Sequence, residues 1–353
     1  MLTRLDRMSY AVRQGARVAW YMGHYFAARR AHARAAASDG RPAQQPVRPT
    51  RPTPSRDRVL ADMAELFRRD LANVEAGLYP LPADDDGGLL DTLRRSRRFF
   101  ADLPAAAARR LERRGEEVAR QQPMALPDYF VQNFHYQTGG YLTEESAELY
   151  DMQVEVLFNG SANAMRRQAL VPLADYVRGR DQRRLRLLDV ACGTGRFLRF
   201  VKEAFPRLHA TGLDLSAPYL GEARRHLDGF SRTGFTVGNA ERLPVADASL
   251  DVVTTIYLFH EIPPEVRRRV AGEFARVLKP GGRLIFVDSI QYGDRESYDG
   301  MLEMFPVSFH EPFYDSYVEE DLDALFAAAG LVPVARDLAF LSKVAVYDKP
   351  AIA

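Results

Sequence analysis

From about position 183 onward, apolar residues come in short runs separated by segments of helical spacing. Runs at 185–190, 209–214, 235–240, 250–256 and 283–288 predict strands, and the stretches between them predict helices. Residues 331–347 predict two more strands, with Pro333 at an edge. Strand–helix alternation at this spacing predicts an α/β fold: a doubly wound, mostly parallel, seven-stranded Rossmann-like sheet preceded by an N-terminal helical region. Upstream, the pattern is helical over 57–76, 89–100, 104–120 (Pro104 in a first turn), from a cap at Thr143, and over 162–176. Another helix is expected over 318–329.

The first strand ends in Asp189-Val190-Ala191-Cys192-Gly193-Thr194-Gly195, and a helix opens at Arg196. Strand, small-residue loop and helix form the opening of a nucleotide-binding unit, and Gly193 and Gly195 let a ligand approach the backbone. A dinucleotide fingerprint wants a third glycine where Leu198 stands, which disfavours a dehydrogenase. Asp214 closes the second strand near the offset expected of an acid that grips a ribose.

Together with Gly238-Asn239-Ala240-Glu241-Arg242-Leu243-Pro244 and Leu278-Lys279-Pro280-Gly281-Gly282, these motifs resemble the class I S-adenosylmethionine-dependent methyltransferases. Within that class they resemble the branch of the ubiquinone and menaquinone C-methyltransferases. The resemblance covers about residues 183–290 and is specific for cofactor rather than acceptor. It implies S-adenosyl-L-methionine held by Asp189, Ala191, Gly193, Gly195, Asp214, Leu215, Asn239 and Ala240. Asp189 would face the methionyl ammonium, Asp214 the ribose hydroxyls, and Asn239 with Ala240 the adenine edge. Asn239 stands where the family usually has Asp, and an amide still accepts from the adenine amino group.

Composition narrows the class. The chain has 353 residues, 46% hydrophobic and 27% charged, with net charge +1, as expected of a soluble globular protein and with no global case for nucleic acid. The single cysteine, Cys192, forms neither an intrachain disulfide nor a metal cage and fits a cytoplasmic compartment. The acidic stretch Asp84-Asp85-Asp86 reads as a solvated loop.

Residues 1–37 carry seven arginines against Asp6. Leu5, Met8, Val12, Ala16, Ala19, Gly23 and Phe26 share one face of the predicted helix. Two readings stand: a helix at the surface of an anionic membrane, making the protein peripheral there, or one that packs on its own enzyme or a second copy. On either, the segment is expected to be dispensable for chemistry. Residues 38–55 read as a Pro/Arg-rich tether, 56–182 as a helical cap or lid, and 183–349 as the methyltransferase core.

Five aromatics and His135 surround Gly139-Gly140 in 129–141, a candidate lid carrying His135, Tyr136 and Tyr141. After the fourth strand comes Tyr257-Leu258-Phe259-His260-Glu261, where His260 is a candidate base. The insertion 290–317 adds Phe309, Tyr314 and a second candidate base, His310. Two His-Glu pairs and Asp288 lack zinc-ligand spacing, so no metal is assigned. Aromatic residues and methionines around these positions point to a hydrophobic small-molecule acceptor, quinone-, terpenoid- or polyketide-like, methylated at carbon or oxygen. The rivals are an RNA methyltransferase using the arginine-rich arm and a non-catalytic partner subunit. Against the first, the fourth strand lacks the Asn/Asp-Pro-Pro-Tyr/Phe motif of amino-methylating enzymes; against the second, Asp189, Gly193, Gly195 and Asp214 are all present.

Overall fold

In the computed structural model, residues 2–38, 48–84, 87–119 and 126–351 are described. Seven strands form one sheet: β1 (Arg186–Val190), β2 (His209–Asp214), β3 (Thr233–Val237), β4 (Leu250–Ile256), β5 (Leu278–Ser289), β6 (Val332–Ala339) and β7 (Ser342–Asp348). Their order is β3-β2-β1-β4-β5-β7-β6, parallel except where β7 meets β5 and β6. Leu187, Leu188, Val252, Val253, Leu284 and Ile285 are buried, because a parallel sheet covered by helices on both faces needs unbroken apolar strands. The strand order reverses between β1 and β4, where such sheets open a ligand crevice at their carboxyl ends.

The helices are α1 (Arg4–Ser38), α2 (Arg56–Glu75), α3 (Leu89–Glu112), α4 (Glu144–Leu157), α5 (Ala162–Arg167), α6 (Leu170–Val177), α7 (Arg196–Ala204), α8 (Ala217–His226), α9 (Pro264–Val277), α10 (Asp299–Ser308), α11 (Tyr314–Val318) and α12 (Leu322–Ala328). Thr143 caps α4 by accepting from Ser146 N–H. Several boundaries differ from expectation. Helix α3 runs through Pro104, because Phe99 and Leu103 share a buried face against Tyr21, Leu149 and Met152. That packing outweighs a proline cost of about 3 kcal/mol. The helix expected over 162–176 breaks into α5 and α6, and the one expected over 318–329 starts only at Leu322, capped by Asp321. Strand β3 ends at Val237, so Gly238, Asn239 and Ala240 leave the sheet to border the crevice.

Helix α1 packs on its own enzyme, and with the opposite face to the one hydrophobicity suggests. Tyr10, Gln14, Arg17, Tyr21, His24 and Ala28 are buried, while Leu5, Met8 and Val12 are exposed. Partners explain the inversion. Tyr10 Oη donates to Asp70 at 2.6 Å, Gln14 Nε2 to Asp84 at 2.6 Å, and Arg17 pairs with Glu155 at 3.2 Å. Arg167, fully enclosed, joins this network by donating to both Asp70 oxygens at 2.9 and 2.7 Å and to Asp84 at 2.6 Å. Asp84 is therefore not solvated. Burial alone would raise its carboxyl, but Arg167 and Arg17 hold it down at about 2; Asp85 and Asp86 lie outside the described residues. The end of the expected tether is also fixed: Thr50 bonds Glu303, the Arg51 guanidinium lies 3.9 Å over Tyr292, and Pro52 O accepts from Gly300 N–H. The middle of that tether, 39–47, lies outside the described residues.

Removing the Arg167 cation leaves buried Asp70 without its ion pair and Asp84 with Arg17 alone. Arg167→Met is expected to cost about 3–5 kcal/mol in chemical denaturation. A loss under about 1 kcal/mol would mean that the network does not hold the helical cap.

Candidate active site

The crevice is built from strand ends. β1 ends before Ala191 at φ 57° and β4 before Tyr257 at φ 62°, and backbone strain of this kind collects at functional sites. Gly193 turns at φ 54° with nothing near the position of an added Cβ, so the loop leaves open space. Gly195, at φ 72°, has no such room: a Cβ there would lie 2.8 Å from Leu227 Cδ1. Asp214 accepts from Gly193 N–H and Ser216 N–H at 2.8 Å each, fixing the loop. Ala191, Gly193, Asp214, Leu215, Asn239 and Ala240 line the crevice. Asn239 Oδ1 accepts from Glu241 N–H within its own turn.

A lid closes over these residues. Tyr129 donates to Glu241 at 2.6 Å, Tyr141 donates to Glu261 at 2.6 Å, and Tyr141 O accepts from Ser216 Oγ. Gly140, at φ 53°, lets the lid fold back on itself; a Cβ there would sit 2.3 Å from Gln132 O.

The residues fit S-adenosylmethionine. Asp189 is buried below the loop, with Oδ1 accepting from Thr254 Oγ1 at 2.6 Å and Oδ2 without a partner. Burial lifts its carboxyl to about 7. A cationic group at the crevice floor would restore the charge and satisfy the orphan oxygen. Asp214 has further lone pairs for hydroxyls, and the rings of Tyr129, Phe130, Phe134 and Tyr141 give the crevice an aromatic wall against which an apolar ring would fit.

A second cavity of about 720 Å³ adjoins the crevice, and Tyr150, Tyr257 and Glu261 border both. Its wall combines Met22, Tyr25 and Phe26 of α1, Leu60 and Met63 of α2, and Met304, Phe305, Phe309 and Tyr314 of the insertion. Helix α1 thus lends side chains to the wall of this cavity.

At the joint lies a buried cluster. His260 Nδ1 is 2.5 Å from Asp288 Oδ1, and Asp288 also accepts from Phe259 N–H and Ser289 N–H. Nε2 points towards Glu261, 3.8 Å away. Burial works against the imidazolium, but Asp288, and beyond it Glu261 and Glu311, raise His260 to about 9. Burial lifts Glu261 to about 7 and raises Glu311 well above the carboxylate range. His135 borders the cavity with Nε2 3.1 Å from Glu311, and burial lowers it to about 3, leaving a neutral imidazole. Among the described residues, no group of three His, Cys, Asp or Glu is placed to hold a metal ion.

The sequence candidates divide. His260, His135, Tyr257, Phe309 and Tyr314 meet at the second cavity, and Tyr141 faces the crevice. His310 and Tyr136 border neither: His310 Nε2 pairs with Gln132 at 2.7 Å, its ring lies against Gly115, and the Tyr136 ring lies tilted against it at 5.8 Å. Sequence reasoning missed Asp288 as the partner of His260 and Glu311 as the partner of His135. The repeated His-Glu pairs at 260–261 and 310–311 were the available signal.

Fold and crevice together define a Rossmann-like methyltransferase. Residues 187–282 match the family described as a methyltransferase domain. The demethylmenaquinone methyltransferase of Thermotoga maritima is 31% identical over 184 residues, which span 52% of this chain and 75% of that one. The ubiquinone/menaquinone biosynthesis C-methyltransferase of Desulfotalea psychrophila is 32% identical over 40% of this chain and 53% of its own length. A malonyl-[acyl-carrier protein] O-methyltransferase of Methylococcus capsulatus is 40% identical over 29% of this chain and 36% of its own. A structure of a SAM dependent methyltransferase from Aquifex aeolicus is 16% identical, with a TM-score of 0.39 over 51% of this chain and 89% of that one. The chain belongs to the S-adenosylmethionine-dependent methyltransferases, in the branch of the ubiquinone and menaquinone C-methyltransferases.

Asp214→Ala is expected to weaken binding of S-adenosylhomocysteine by about 1.5–3 kcal/mol, the scale of hydrogen bonds to a charged group. Unchanged affinity by calorimetry would remove Asp214 from the cofactor site.

Proposed function

We propose that the enzyme methylates a hydrophobic small molecule with an ionisable hydroxyl, such as a phenol or quinol, seated in the second cavity. The observation that carries this is the apolar cavity sharing Tyr150, Tyr257 and Glu261 with the cofactor crevice, with His260 at the joint. Bound cofactor supplies an electrophilic methyl group. The chain's own part is to orient the acceptor, exclude water and manage one proton. Asp288 fixes the Nδ1–H of His260, so Nε2 is the atom that exchanges a proton with the acceptor hydroxyl. Losing that proton raises electron density on the acceptor oxygen and on the ring carbons beside it, which serves O- and C-methylation alike. The resting imidazolium must give up a proton, or meet an acceptor that has already lost one, before transfer. The two routes share one net proton count.

Activity therefore rises with pH. Because His260 is raised from 6.5 to about 9, kcat/KM with a neutral phenolic acceptor is expected to climb through the neutral range and level near 9. Asp288→Asn removes the charge that raises the imidazole, and should move the plateau downward. His260→Gln is expected to lower the rate about 10²–10⁴-fold with S-adenosylhomocysteine affinity unchanged. A flat profile with near-normal turnover in His260→Gln would reduce the mechanism to proximity.

A second reading concerns placement. Helix α1 shows Leu5, Met8 and Val12 to solvent, and Phe26 and Leu60, partly exposed, stand at the cavity's border. Along the same face Arg30 and Arg34 are exposed, and Arg4 flanks its start. We propose that this face rests on an anionic lipid surface, so that a hydrophobic acceptor enters directly. No described helix is long and apolar enough to cross a membrane. Co-sedimentation with phosphatidylglycerol-containing vesicles should occur and be lost in Leu5→Glu/Val12→Glu. If the wild type stays in the supernatant, this placement is wrong.

A further inference from the structure

Behind the acceptor cavity lies a further chamber of about 480 Å³. Tyr25, Arg29, His135, Tyr150 and Phe309 border both, so the two spaces share a wall. The far chamber is lined by Phe99, Leu103 and Ala106 of α3, and it carries a guanidinium that no carboxylate neutralises among the described residues. Arg110 lies 4.9 Å over the Phe309 ring and has no carboxylate partner among the described residues. Burial lowers its pKa.

Its neighbour shows what a structural arginine looks like here. Arg109 pairs with Glu117 and donates to Tyr136 O and Thr138 Oγ1. Arg29 stands at the shared border, 5.8 Å over Tyr25, also without an ion pair among the described residues. The chamber's one carboxylate, Asp102, accepts from the Thr138 hydroxyl.

A half-buried guanidinium facing an apolar chamber carries a desolvation cost that a bound anion offsets. We propose that this chamber is an anion subsite: the acceptor carries an ionised carboxylate at the end remote from its reacting hydroxyl, held by Arg110 with Arg29 at the entrance. A single planar fork suits a carboxylate, which it meets with two parallel N–H donors. The inference rests on the acceptor-cavity reading above and narrows it from hydrophobic molecules in general to amphipathic acids.

The test uses ω-(4-hydroxyphenyl)alkanoic acids of increasing chain length and their methyl esters, titrated calorimetrically into enzyme saturated with S-adenosylhomocysteine. At one chain length the acid should bind roughly tenfold to a hundredfold tighter than its ester, the worth of charge-assisted hydrogen bonds. Arg110→Gln should abolish that preference and leave ester affinity unchanged, which also shows that the variant is folded. Arg110→Lys should keep part of it. Equal binding of acid and ester by the wild type overturns the subsite and leaves the cavity reading intact. So does a preference that survives in Arg110→Gln/Arg29→Gln. Binding of neither compound removes both.

Discussion

The site depends on one buried ion pair, His260 with Asp288. Parallel pairing of β4 with β5, Ile256 beside Val287, brings the two chain ends together at the sheet's carboxyl edge. Asp288 is fully buried and spends its oxygens on two backbone amides and one imidazole, so its charge is held in place by the fold. In so dry a setting a charge acts strongly on its neighbours. Asp288 keeps His260 protonated, while burial and the neighbouring carboxylates push Glu261 and Glu311 towards their neutral forms. That contact and burial together set the proton inventory of the cavity.

The cavity itself is made by the helical cap, and the cap by polar contacts. Arg167, Asp70 and Asp84 bind α1, α2 and α5 into one body, which lets α1 lend Met22, Tyr25 and Phe26 to the wall of the second cavity. A sheet of this kind supplies the cofactor crevice; the added helices and the α10–α11 insertion decide what else fits. That division explains why the family model matches residues 187–282, within the sheet region, and why acceptor chemistry must be argued from the cap.

Sheet and crevice were legible in the sequence because both rest on local signals. Apolar runs mark buried parallel strands, β2 and β4 falling at the expected positions, and small residues mark the turn at Gly193. The cap was less legible, for physical reasons. Periodicity selects the most apolar face of a helix, but α1 buries Tyr10, Gln14 and Arg17 because their partners lie far off in sequence. Asp84 looked solvated for the same reason, and Pro104 looked like a helix start because the packing of Phe99 and Leu103 is tertiary. At the site, His260 stood out by type and position. The carboxyls that set its charge did not, since their effect comes from burial.

The central claim is the protonation state of that imidazole, and nitrogen-15 NMR of histidine-labelled enzyme reads it directly, with His260 assigned by its loss in His260→Gln. Both ring nitrogens should be protonated near neutral pH, converting to the Nδ1–H tautomer as pH passes about 9. A neutral ring near neutral pH, titrating at the ordinary value of about 6.5, would contradict the account.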